Sequence, residues 1–92
     1  MIDQNRVDAD GKEMERVMKP YSGNDGAHFG LIGTEDYRRY FCIGGRVDLL
    51  GTIISEGLAR MVFITPELDE RYIDIVADTA REMLARMKGG AN

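Results

Sequence analysis

Apolar positions along this chain change their period four times, and each change marks an element. Met14, Val17 and Met18 stand at i, i+3 and i+4, with Asp10 and Glu13 ahead of them at capping-box spacing and Pro20 behind. This predicts a short helix over 11–19, marginal alone and dependent on docking its Met/Val face. Residues 1–9 are polar and aperiodic and read as a flexible tail. After the Gly, Asn and Asp of 22–26, two apolar runs, 28–32 and 37–43, flank Thr34-Glu35-Asp36 and predict a β-hairpin from their aromatic and β-branched content. Tyr37, Arg39, Phe41 and Ile43 fall on one side of the second strand, and Arg38, Tyr40 and Cys42 on the other.

The period then becomes helical. Val47, Leu50, Ile54, Leu58 and Met61 form one stripe, widened by Leu49 and Ile53, which predicts a largely buried helix to about residue 64. Gly51 and Gly57 within it suggest close approach of another backbone, because each costs about 1 kcal/mol against alanine in a helix. Thr65 and Pro66 have the chemistry of a helix start, and Leu68, Tyr72, Val76, Ala80, Met83 and Met87 line one face before Gly89-Gly90 ends the run. Early acids and late bases complement the dipole of this second helix. The expected fold is α+β: a short N-terminal helix, a hairpin, then an antiparallel pair of longer helices packed on the sheet. Residues 10–90 are expected to form one domain, with 91–92 as a tail.

Composition agrees with a folded domain: hydrophobic residues make up 43% of the 92 and charged residues 30%. No apolar run reaches the roughly 18 to 20 residues that span a bilayer, and the first residues lack a signal-peptide core, so a cytoplasmic location is expected. One cysteine excludes an internal disulfide and a cysteine-rich zinc site. The net charge of −4 argues against nonspecific duplex binding. Within it, residues 37–64 form the only basic segment, with four bases against two acids.

Candidate chemistry is sparse. A simple hairpin closed by 34–36 would set His28 opposite Cys42, the pairing a thiolate nucleophile needs; a buried small residue beside a satisfied ring is the plainer reading. Gly44-Gly45-Arg46 before a helix could cradle an anion, or simply turn the chain. Arg38 and Arg39 among Tyr37, Tyr40 and Phe41 resemble a platform for single-stranded nucleic acid, although aromatic residues on a hairpin usually serve the core. Glu70, Asp74 and Asp78 share a helix face at i, i+4 and i+8 and suit a basic patch on another protein better than a metal. No catalytic set, metal site or cofactor is expected.

The hairpin, the Gly-Gly turn, Val47-Asp48-Leu49-Leu50 opening one helix and Thr65-Pro66-Glu67 opening another resemble, in layout over 27–88, small accessory proteins encoded by phages and prophages. That resemblance implies a protein that inhibits or redirects a host protein or complex, and it assigns no residue a role. The expected function is therefore non-enzymatic protein binding, with Arg38, Arg39, Tyr40, Glu70, Asp74 and Asp78 as contact residues. The alternative is a single-stranded nucleic-acid binder built on the 37–40 strand. A free hairpin edge also invites a homodimer.

Overall fold

The computed structural model describes residues 2–90, so the expected tail at 91–92 lies outside the described residues. The fold is α+β. Helix α1 (Gln4–Met18) passes through a short 3-10 turn (Lys19–Ser22) into strands β1 (Ala27–Gly33) and β2 (Arg39–Gly45), followed by helices α2 (Val47–Ile64) and α3 (Arg71–Gly90). The chain divides into two units, one ending at Ile54 and the other beginning at Ser55.

The first unit corrects the reading of 1–9 as a tail. Asp3 caps α1, its carboxylate accepting the Arg6 amide at 2.9 Å, so the helix starts well before the expected capping box. Asp10 and Glu13 lie inside the helix and pair with Arg6 and Arg16 on its surface. The helix start carried only one apolar signal, Val7, and Val7 is the most deeply buried side chain of the described residues, 1% exposed.

The strands pair antiparallel, with His28 opposite Gly44, Gly30 opposite Cys42 and Ile32 opposite Tyr40. This register differs by two residues from the one that faced His28 with Cys42, because the connecting loop runs from Thr34 to Arg38. Tyr37 takes a left-handed conformation there, φ 69°, and the Thr34 hydroxyl accepts the Arg38 amide at 3.1 Å. A shift of two keeps every side chain on its expected face, since the strand period is two. At the far end, Gly45 has φ 96°, and a Cβ there would lie 2.3 Å from the Gly26 carbonyl oxygen, so this turn requires glycine.

Helix α1 covers the face that carries His28, Gly30, Tyr40, Cys42 and Gly44. Its Gly11 is what lets it sit so close: a Cβ at this position would fall 2.1 Å from Cγ of the Tyr40 ring. At Gly30 a Cβ would similarly meet the Met14 sulfur at 2.8 Å. The small residues of the hairpin thus mate with the large side chains of α1, and the reverse holds at Gly11.

The long helices form where the periodicity predicted them, but their expected burial is not met. Of the α2 stripe only Leu50 is buried, and no described residue of α3 is. A Cβ at Gly51 or Gly57 would meet nothing within 4 Å, so neither marks a close backbone approach. Helix α3 starts at Arg71 rather than at Pro66. Residues 65–70 form a turn in which the Thr65 carbonyl accepts the Leu68 amide, and the Asp69 carboxylate accepts the Arg71 amide at 2.9 Å. Asp69 does the capping expected of Thr65, and the helix continues through Gly89 and Gly90, the expected stop.

Candidate functional site

The two sides of the hairpin differ in chemistry as well as in cover. On the covered side, the buried His28 ring has its Nδ1 3.3 Å from the Tyr21 carbonyl oxygen and 3.4 Å from the Ser22 hydroxyl. Gly44 leaves space for that ring, because a Cβ there would lie 2.7 Å from its Cε1. Cys42 lies opposite Gly30 on the same side, also buried. The hydrogen bonds of His28 run to the turn after α1 and not to the thiol. This arrangement matches the plainer reading, a hydrogen-bonded core histidine near a small buried residue.

Tyr40 belongs to the same covered side. Its hydroxyl donates to Glu15 of α1 at 2.5 Å, and that carboxylate, with burial as the second cause, pushes the phenol up to about 12. Tyr40 is therefore committed to holding α1 on β2.

The opposite side is apolar and open. Phe29, Leu31, Phe41 and Ile43 are exposed to 39%, 54%, 53% and 49%, and the two phenylalanine rings meet edge to face at 5.5 Å. Phe29 is paired with Ile43 and Leu31 with Phe41, so the four side chains form two adjacent cross-strand pairs. The residue pattern held the signal for this patch: positions 29, 31, 41 and 43 share a face by strand alternation. What it did not reveal is which face α1 covers.

Backbone groups extend the open surface round the edge of β2. Arg46 donates to the Gly26 carbonyl and Thr34 to that of Arg38, which fixes the hydrogen-bonded pairs as those of the even-numbered residues. The N–H and C=O groups of Phe41 and Ile43 consequently point away from β1. No partner meets them among the described residues. The outward carbonyl of Arg39 is taken by the Gln4 side-chain amide at 3.3 Å. A shallow groove lined by Lys12, Glu15 and Arg16 of α1, Lys19 of the 3-10 turn and Tyr40 and Phe41 of β2 runs beside this edge.

The residues expected to contact a partner are not gathered into one surface. Arg38 lies in the loop with its Nε 2.8 Å from Asp36. Arg39 is on the open side, where its guanidinium donates to the Thr34 carbonyl at 2.7 Å and stacks 4.2 Å from the centre of the Tyr37 ring. Tyr40 faces α1, so these three do not share a face. The Thr34 hydroxyl, and then the Arg38 guanidinium, hold the Asp36 carboxyl below its usual range.

On the second unit, Glu70 precedes the first residue of α3, Asp74 lies in its first turn and Asp78 pairs with Arg81 at 2.8 Å. At Gly44-Gly45-Arg46, the Arg46 amide is spent on Gly26 and its guanidinium lies on Asp48 at 2.5 Å, which holds that carboxyl below its usual range. Among the described residues, no group of three or more His, Cys, Asp or Glu side chains is placed to hold a metal ion, and no helix is long and apolar enough to cross a membrane.

Comparison with protein-family models, with curated proteins and with solved structures gave no match to this chain.

Proposed function

We propose that this chain is a non-enzymatic protein-binding module whose contact surface is the open side of the hairpin. One observation carries this reading: Phe29, Leu31, Phe41 and Ile43 lie together in the open, while the small and polar residues of the same strands lie under α1. Contiguous exposed apolar side chains on a folded surface mark interaction sites, and aromatic residues supply much of the binding free energy at such sites. An inhibitor that occupies a host protein's surface is the form of this reading that the layout resemblance favours. Arg39, at the margin of the patch, would then act as a polar rim contact, and Glu70, Asp74 and Asp78 form a separate acidic row on the second unit.

The nucleic-acid reading has less support. Its two arginines already engage Asp36 and backbone carbonyls, and Tyr40 turns toward Glu15. Of its rings, Tyr37 and Phe41 are open, 73% and 53% exposed, and Arg39 already stacks on the first.

Capture experiments with the immobilised chain and a lysate of its native host separate these readings. The Leu31→Asp/Phe41→Asp double variant is expected to lose a captured protein that the wild type holds, by about a hundredfold or more in affinity. Reversing Glu70, Asp74 and Asp78 to lysine is expected to weaken capture by less than about tenfold, as exposed charges outside the apolar contact do. Equal capture by wild type and double variant contradicts the proposal. Binding of a labelled single strand at low salt that disappears as salt rises would favour the alternative.

A further inference from the structure

We propose that a second copy of this chain pairs with the outer edge of β2, antiparallel and centred on Cys42, to build one four-stranded sheet from two hairpins. This rests on the reading of the hairpin as a protein-binding element and extends it from the open side to the edge of β2, leaving the apolar side of each copy free for a further partner.

The geometry of β2 favours its own copy. The strand spans Arg39–Gly45, so Cys42 is its midpoint, and a two-fold axis at Cys42 is the only arrangement that sets all its residues against partners. That register also has the right parity. Phe41 faces Ile43 of the second copy, both with their free N–H and C=O groups directed at each other, so the pairs nearest the axis exchange four hydrogen bonds. A shift of one residue would oppose outward groups with inward ones, and a shift of two would shorten the ladder.

Side chains fit the same register. Tyr40 faces Gly44 of the second copy, and a ring beside a glycine is a favourable cross-strand match. The two Cys42 residues meet in a pair without hydrogen bonds, where Cα atoms approach to about 4.5 Å, inside the range a disulfide can bridge. Because the axis is perpendicular to the sheet, both apolar sides face the same way, and Phe29, Leu31, Phe41 and Ile43 of the two copies become one continuous surface. The groove beside α1 is the space into which the second β2 enters.

Exposure at the seam argues for a partner: Phe41 and Ile43 of this chain, 53% and 49% exposed, flank the two-fold axis. The buried apolar core among the described residues is Val7, Cys42 and Leu50, which is thin for a domain that must fold alone.

Sedimentation of the full chain, with diamide treatment and a non-reducing gel, tests the pairing. A dimer at micromolar concentration is expected, and diamide should join its two chains by taking one hydrogen from each Cys42 thiol. Cys42→Ser should abolish the covalent dimer and keep the non-covalent one. Ile43→Pro removes an outward N–H and leaves the β1 ladder intact, so it should raise the dimer dissociation constant at least about tenfold with an unchanged circular dichroism spectrum. Phe41→Lys, which retains the N–H and puts a charge on the edge, should do the same.

A chain that stays monomeric at about 100 µM overturns the pairing. So does a dimer that neither variant weakens. If such a monomer still captured another protein through Leu31 and Phe41, the second-copy proposal alone would fall. If the Leu31→Asp/Phe41→Asp variant also bound everything the wild type binds, the protein-binding reading would fall with it.

Discussion

Two sides of one hairpin carry opposite chemistry, and their cover is the reverse of what residue type alone suggests. Beneath α1 lie His28, Gly30, Tyr40, Cys42 and Gly44, while Phe29, Leu31, Phe41 and Ile43 stand in the open. Small residues suit the covered side because α1 approaches at van der Waals distance and seats Gly11 on the Tyr40 ring. Burying an apolar residue gains about 25 cal/mol for each Å² removed from water, so leaving four large ones exposed forgoes a sizeable stabilisation. That forgone burial is available on binding, and it is why the open side, not the histidine and cysteine, is the functional candidate.

Breaking the covered side should cost the most. Gly11→Val forces a branched side chain into the Tyr40 ring and is expected to destabilise the first unit by about 3 kcal/mol, a fall in melting temperature of roughly 10 °C or more in a thermal melt. Val7→Ala removes two buried methyl groups without overpacking, and about 2 kcal/mol should be lost in urea unfolding at unchanged m.

Tyr40→Phe probes the covered side through pH. The phenol is raised in the folded chain by its bond to Glu15, so that bond's contribution is complete below the ordinary tyrosine value near 10 and is lost as pH rises toward about 12. Wild type should lose stability across that window, and the phenylalanine variant should lose less in the same titration. Least affected should be Leu31→Ser on the open side. In dilute monomer its effect on unfolding is expected to stay within about 0.5 kcal/mol, whereas the same change should impair capture of a partner protein.

The order of elements was legible because each carries its own period: two in the hairpin, 3.6 in α2 and α3. Three other features were not. Helix α1 starts with a single buried apolar residue, Val7, among polar ones, so no stripe announced it, and Asp10 with Glu13 imitated a start farther along. The register slipped by two because the left-handed turn at Tyr37 lengthens the loop, something a tyrosine does not signal. Burial of the long helices was inferred from apolar stripes, and a stripe states only that a face needs cover, not that the same chain supplies it. The candidate contacts suffered similarly: Arg38, Arg39 and Tyr40 are adjacent in sequence, yet alternation and the loop send them in three directions.

Amide hydrogen exchange along β2, followed as a function of protein concentration, probes the open edge of this strand residue by residue. In dilute solution Tyr40, Cys42 and Gly44 should be protected through their bonds to β1, while Phe41 and Ile43 exchange freely. At high concentration Phe41 and Ile43 should become protected as their outward groups find partners. Exchange at Phe41 and Ile43 that stays fast at every concentration, with no partner able to slow it, would contradict the assignment of this edge and its apolar side as a binding surface.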